Sequence, residues 1–192
     1  DHYRWQSRLD GMTAATIRAE IARGMEALGE MIGTAPTCTA APAWKCNAET
    51  LLAKEAYALR YNSDCRGGSI FQPRVHDRVL AQPQIPATLP TYDEMVGRRG
   101  VTRANYNDRI LARLRPGALN VLTLHAEAEG LAAQDLFEDF LARARAQGVA
   151  FGALGDELAG ATAWPADELI ARTVPGREGW AAWQRSATPW ED

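Results

Sequence analysis

The sequence predicts an α/β fold built from parallel βα units, and two observations carry that prediction. Helix-like and strand-like segments alternate along the chain instead of grouping by type. The strand-like runs are also short and stop at polar residues followed by turn signals, as at 37–44, 59–67 and 122–130. Strand ends of this kind deliver side chains to a shared rim, where α/β folds place their ligands. With 192 residues, the chain suits one domain long enough to bury a real core.

The elements follow in order. Ile17, Ile21, Met25, Leu28 and Ile32 recur at spacings of three and four and predict a helix over 13–32, capped by Thr13 and stopped by Gly33. A short strand over 37–40 ends before Pro42. Asn47 caps a helix over 48–59 with Leu51, Leu52, Ala56 and Leu59 inward. Residues 61–64 read as strand-like and run into the Gly67-Gly68 turn. Pro73, Pro83, Pro86 and Pro90 make 69–90 a long loop with one short strand near Ile85. Thr91 and Glu94 have capping-box spacing and start a short helix. A helix over 102–114 ends at Pro116-Gly117, and the apolar run 119–124 reads as a strand. Leu136, Phe137, Phe140, Leu141 and Ala144 mark a helix over 133–147 that Gly148 ends. A strand over 149–151 and a helical turn over 155–160 complete the pattern. Beyond residue 163 no period remains.

Composition narrows the function classes. Hydrophobic content of 46% and charged content of 23% are ordinary for a soluble globular chain. A net charge of -3 argues against nucleic acid, which would call for a clustered basic face. No run approaches the roughly 18 apolar residues of a spanning helix. Three cysteines, Cys38, Cys46 and Cys65, lack framework or Cys-x-x-Cys spacing and read as reduced thiols without zinc chemistry.

Few residues stand out for chemistry. His125 follows the apolar run 121–124, and an imidazole at a strand end suits a general acid or base; a rim histidine that only bonds a loop is the alternative. Asp64 also ends a strand-like run and suits the orientation of a histidine, against the simpler Asx turn before Gly67. Arg66 suits an anionic group or plain surface, and Trp44 an aromatic wall for a sugar or core packing. Glu127 and Glu129 flank the His125 turn as rim charges or substrate contacts. His76, beside Asp77 in the Pro-rich stretch, reads as structural.

Several segments together resemble one family. Thr37-Cys-Thr-Ala-Ala-Pro-Ala-Trp44, Leu59-Arg-Tyr-Asn-Ser-Asp-Cys-Arg-Gly67, Gln84-Ile-Pro-Ala-Thr-Leu-Pro-Thr-Tyr-Asp-Glu94, the His125 segment and Pro175-Gly-Arg-Glu-Gly-Trp180 are similar to the 4-deoxy-4-formamido-L-arabinose-phosphoundecaprenol deformylases. These belong to the polysaccharide deacetylase (NodB-like) superfamily. The resemblance runs from residue 1 to about residue 183, and it implies an incomplete distorted (β/α) barrel over 1–162, the carboxyl-terminal two-thirds of such a domain, with a Trp- and Arg-containing tail over 163–192. The implied activity is hydrolytic removal of a formyl group from an undecaprenyl-phosphate-linked amino sugar, in lipid A modification and polymyxin resistance. The place of work would be the cytoplasmic side of the bacterial inner membrane, peripheral or soluble. By resemblance His125 is the general acid that protonates the departing amine, Asp64 its orienting partner and Trp44 part of the loop that walls the site; Arg66 is taken with Trp44 as a substrate-binding residue. His2 is the second histidine of a His-x-x-Asp-His motif, a ligand of a divalent metal with zinc as the expected ion, and Asp1 precedes it.

The pattern is incomplete in one respect. The family's first motif, which supplies the catalytic base and a metal-ligating aspartate, and its first metal histidine have no counterpart in these residues, so the expectation is a fragment of a longer chain that alone binds metal poorly and turns over no substrate. A broader carbohydrate N-deacetylase and a non-catalytic binder of a lipid-linked sugar are the other readings. Trp164, Trp180, Trp183 and Trp190 with Arg172, Arg177 and Arg185 suit peripheral membrane contact or packing over the barrel bottom.

Overall fold

The computed structural model describes residues 1–174 and 179–189. The chain divides into two compact units, one formed by Asp1–Pro86 with Leu158–Pro189 and the other by Ala87–Glu157. Pro175, Gly176, Arg177, Glu178 and Trp190, which belong to the quoted tail segment and the membrane reading, lie outside the described residues.

In the first unit, α1 (His2–Arg8) leads to α2 (Ala14–Ile32), which has the expected stripe and both expected terminators. Thr13 accepts from the Thr16 amide, and Gly33 closes the helix at φ 73. The expected parallel unit is present: β1 (Cys38–Thr39) crosses through α3 (Ala48–Lys54), capped by Asn47, to β2 (Tyr61–Asn62), which pairs parallel with it. Its ladder bonds run from the amide of Arg60 to the carbonyl of Thr37 and from that of Ser63 to Thr39. Asn62 bridges in turn to Gln84, which is where the short strand expected near Ile85 takes part in pairing.

Two regions differ from the sequence reading. The Pro-rich stretch holds a hairpin, β3 (Gln72–Val75) with β4 (Arg78–Val79), turning at His76 with φ 53. Pro73 fits there because it needs only its carbonyl, which accepts from the Leu80 amide. The region beyond 163 is also ordered into strands: β5 (Ala166–Asp167) pairs parallel with β3, and β6 (Leu169–Thr173) forms an antiparallel pair with β7 (Trp180–Gln184). Four of the five β7 residues are buried, so both faces are covered and no alternation shows. Among the described residues the sheets hold two, three and two strands. Mixed α/β is thus the class.

The core of this unit joins Leu51, Cys65, Phe71, Val75, Leu80 and Ala182, with a second cluster of Trp5, Leu9, Ile17 and Ala53. Trp180 packs against both and donates its indole N–H to Asp10. Trp183 is buried and Trp164 half-buried.

In the second unit α4 (Tyr92–Met95), α5 (Tyr106–Leu111) and α6 (Gln134–Ala146) surround Leu89, Met95, Tyr106, Ile110, Phe140 and Ala144. The run 119–124 is extended but is not a strand. Among the described residues its backbone pairs with another segment through Val121, which accepts from the amides of Thr88 and Leu89 and donates to Thr88 Oγ1, and a single residue makes no ladder.

Candidate active site

In the first unit the strand ends aim at a buried polar knot. Asp64, two residues past β2, has no exposed surface. Its Oδ1 lies 2.5 Å from Lys54 Nζ, and its Oδ2 accepts from Gln84 Nε2 at 3.0 Å. Its amide donates to Gln84 Oε1 at 2.9 Å, so Gln84 grips both ends of the residue. Lys54 also donates to Thr39 Oγ1 at 2.7 Å, and Thr39 donates to Asn62 Oδ1 at 2.6 Å. A lysine and an aspartate this deeply buried persist because each supplies the other's charge and the flanking hydroxyl and amide fill the remaining positions. Sequence reasoning missed Lys54. Its signal was position: it stands three and four residues after Leu51 and Thr50, on the buried face of α3.

Thr39 and Lys54 open onto a cleft of about 520 Å³. Trp5, Ile21, Met25 and Ala41 supply apolar wall, and His2 and Glu20 stand at its margin. Burial works to raise the Glu20 carboxyl, but the hydrogen bond and charge of Arg23, with Arg4, outweigh it and hold Glu20 below its ordinary value.

Trp44 and Arg66 come together. The Arg66 guanidinium lies 3.6 Å from the centre of the Trp44 ring, and both side chains are buried. The Arg66 backbone is locked to β7, its amide bonded to the Ala182 carbonyl and its carbonyl to the Gln184 amide. Trp44 sits in a turn where it and Ala43 have φ of 53 and 52. Two successive non-glycine residues in that region cost roughly 1–2 kcal/mol each, so surrounding contacts must hold them. The buried indole stacked on Arg66 is such a contact.

His2 is exposed in the first turn of α1, and the Asp1 carboxylate is occupied as the helix cap, accepting from the Arg4 amide at 2.9 Å. Among the described residues no group of three or more His, Cys, Asp or Glu side chains converges. The donors here therefore do not fit a metal centre by themselves.

In the second unit His125 ends the extended run and opens a turn that continues into a π-helical segment, Ala128–Ala132. Its amide donates to Glu129 Oε2 at 2.7 Å, and its carbonyl accepts from the Glu129 amide at 2.9 Å. Nδ1 lies 3.5 Å from Asp93 Oδ1. The imidazole is 40% exposed, so a side chain with proton-transfer capacity is held by a clamped backbone yet open to solvent. Glu127 is exposed and Glu129 buried, its Oε2 committed to the His125 amide.

No family model matches the sequence. The chain is 41% identical over 187 residues, 97% of its length, to a protein of Shewanella sediminis named probable 4-deoxy-4-formamido-L-arabinose-phosphoundecaprenol deformylase ArnD. It is 35% identical over 188 residues, 96% of its length, to a protein of the same name from Wigglesworthia glossinidia brevipalpis. It spans 60% and 65% of those relatives' own lengths. The resemblance read from the motifs is borne out: the chain is homologous to these proteins over nearly all its length.

Proposed function

We propose that this chain is the larger part of an amide hydrolase that removes the formyl group from undecaprenyl-phosphate-linked 4-formamido-arabinose, a step in lipid A modification and polymyxin resistance. The observation that carries the reading is the 41% identity, which extends over 97% of the chain. The coverage of 60% and 65% supports a longer protein as the active species.

In this reading His125 is the general acid. Expelling an amine requires a proton at its nitrogen, and an imidazole is a side chain that can carry and transfer one. The clamp on the His125 backbone supports the role, because a proton donor works only from a fixed position. Asp64 is the residue that the resemblance assigns to orienting the imidazole, and within its own unit its carboxylate is held by Lys54 and Gln84. Trp44 and Arg66 are the residues expected to bind the sugar by resemblance, although in this structure the Trp44 ring is buried against the Arg66 guanidinium. His2 is one donor of a divalent metal, zinc being the expected ion, whose other donors these residues do not supply. In the same reading the short parallel pair β1–β2 with its α3 crossover belongs to a distorted (β/α) barrel of the longer protein, and a polyprenyl-linked substrate is consistent with peripheral work at the cytoplasmic face of the membrane. Among the described residues no helix is long and apolar enough to cross one.

The test measures formate released from the lipid-linked formamido sugar by the full-length gene product. His125→Gln is expected to cut the rate about 10²- to 10⁴-fold, the usual range for a lost general acid. Formate release that persists undiminished in that variant would defeat the assignment. Binding of the lipid-linked sugar with no formate released by the unsubstituted protein would favour a non-catalytic binder.

A further inference from the structure

The parallel pair β1–β2 is open to solvent where such pairs are normally enclosed. Parallel strands occur almost only with both faces covered, yet Cys38 and the flanking Thr37 and Ala40 are exposed, and Thr39 is half-buried. Among the described residues β1 pairs with β2 on one edge and with no strand on the other. Thr37 and Thr39 give their carbonyls to β2. Alternate residues of a strand bond to opposite sides, so Cys38 turns its amide and carbonyl to the open edge. The next residues, from Thr39 to Ala41, line the cleft of about 520 Å³.

The other wall of that cleft is the apolar stripe of α2, which passes from core to solvent along one face. Ile17 is fully buried, Ile21 and Met25 are half-buried, and Leu28 and Ile32 are 48% and 57% exposed. A stripe that keeps its period but loses its cover is a face shaped for another element. An open backbone edge beside an apolar helix face calls for one extended peptide, which satisfies both. A lipid chain would cover the stripe and leave the edge amide and carbonyl without partners. Length and position identify the peptide. The chain spans 60% and 65% of its relatives, so a third or more of each lies outside the match. The Asp1 nitrogen, from which a preceding residue would continue, lies 3.8 Å from Glu20 Oε2 at the margin of the cleft.

We propose that the cleft seats an extended segment of the longer protein that precedes Asp1, paired along the open edge of β1 and packed on Ile21, Met25 and Leu28. This rests on the reading of the chain as the larger part of a longer protein. Lys54, which lines the cleft, is then closed off from water together with its partner Asp64.

Amide hydrogen exchange in the 192-residue chain and in the full-length gene product tests this. The Cys38 amide should exchange freely in the chain and about 10²-fold more slowly in the full-length protein, because a paired amide exchanges only when its unit opens. Leu28→Asp gives a second readout. It should leave the urea midpoint of the chain nearly unchanged and lower that of the full-length protein by about 1 M, since only there is the carboxylate buried. Equal Cys38 exchange in the two proteins would overturn the proposal, as would an equal effect of Leu28→Asp. Protection in the chain alone that grows with its concentration would assign the cleft to a second copy. Protection that requires added polyprenyl phosphate would assign it to a lipid, and either result overturns the proposal. A reading frame that supplies no residues before Asp1 would remove the fragment reading and this proposal with it. Formate release bears on the deformylase reading alone and is not measured in either experiment.

Discussion

Replacing Lys54 with Met should destabilise the first unit more than any single surface change. Lys54 Nζ is 2.5 Å from Asp64 Oδ1, and the two side chains are 5% and 0% exposed. Met fills nearly the same volume, so the loss is electrostatic: the Asp64 carboxylate is left buried with Gln84 as its remaining side-chain partner. Breaking a buried pair by removing one member costs about 3–5 kcal/mol. At about 2 kcal/mol per molar urea, that lowers the unfolding midpoint by roughly 1.5–2.5 M. Tryptophan fluorescence reads this unit, since Trp5, Trp44, Trp180 and Trp183 all belong to it. Adding Asp64→Asn to Lys54→Met should recover part of the loss. The amide introduced by Asp64→Asn keeps an oxygen for Gln84 and carries no charge, so the double variant should cost about 1–3 kcal/mol, the penalty for one unsatisfied amide donor. A single variant within about 0.5 kcal/mol of the parent, or a double variant no better than the single, would show that water already reaches the pair and refute the argument.

Three further outcomes follow from the geometry. A Cβ at Gly67 would stand 2.7 Å from Gln184 Oε1 and 2.9 Å from Pro86 Cβ, so Gly67→Ala should cost about 1–3 kcal/mol, while Gly68→Ala, with Ala187 Cβ at 3.9 Å, stays within about 0.5 kcal/mol; urea melts compare them. Burial foremost, and then the Asp64 charge, push the Cys46 and Cys65 thiols well up, so a thiol reagent at about pH 8 should label exposed Cys38 alone in the native chain, and rapid labelling of all three would contradict their burial. Burial, with Glu129 adding to it, also raises the Tyr106 phenol well above its ordinary value. Its native proton is held more tightly than in the unfolded chain, so its contribution is intact below about pH 10 and is lost as pH rises toward the native value. Tyr106→Phe should flatten that alkaline loss in a stability-against-pH series, and an identical slope in both proteins would remove Tyr106 as its source.

The helix over 13–32 was legible because three signals agree on it: the spacing of Ile17, Ile21 and Met25, a capping Thr13 and a terminating Gly33. The short helix α1 carried too little signal, since only Trp5 is buried in its seven residues. The β3–β4 hairpin was hidden by Pro73, a residue that usually argues against a strand but here sits where no amide is required. The pair β6–β7 was hidden for another reason. The Ala-rich segment 180–184 has weak intrinsic β preference, and its order comes from register with Leu169–Thr173 and from the Arg66 backbone. The error at 119–124 is the converse: an apolar run has the composition of a strand, but only a neighbouring ladder can make it one, and among the described residues its backbone bonds to a neighbouring segment run through Val121, which is no ladder.

The same division governs the candidate site. Asp64 and His125 could be singled out from sequence because a polar residue ending an apolar run is a local pattern. Their charge partners could not, because they arrive through packing: Lys54 across the turn from α3 to β2, and Asp93 from a helix far earlier in the chain. Asp93 carried a faint signal even so. In a capping box the first and fourth residues satisfy each other, as Thr91 and Glu94 do here, and the carboxylate between them is left to face outward. A third-position carboxylate that accepts from the capping hydroxyl cannot be explained by helix initiation alone, because Glu94 already engages the Thr91 amide. What Asp93 gains from that hydroxyl is a fixed direction, and the group standing in that direction is His125.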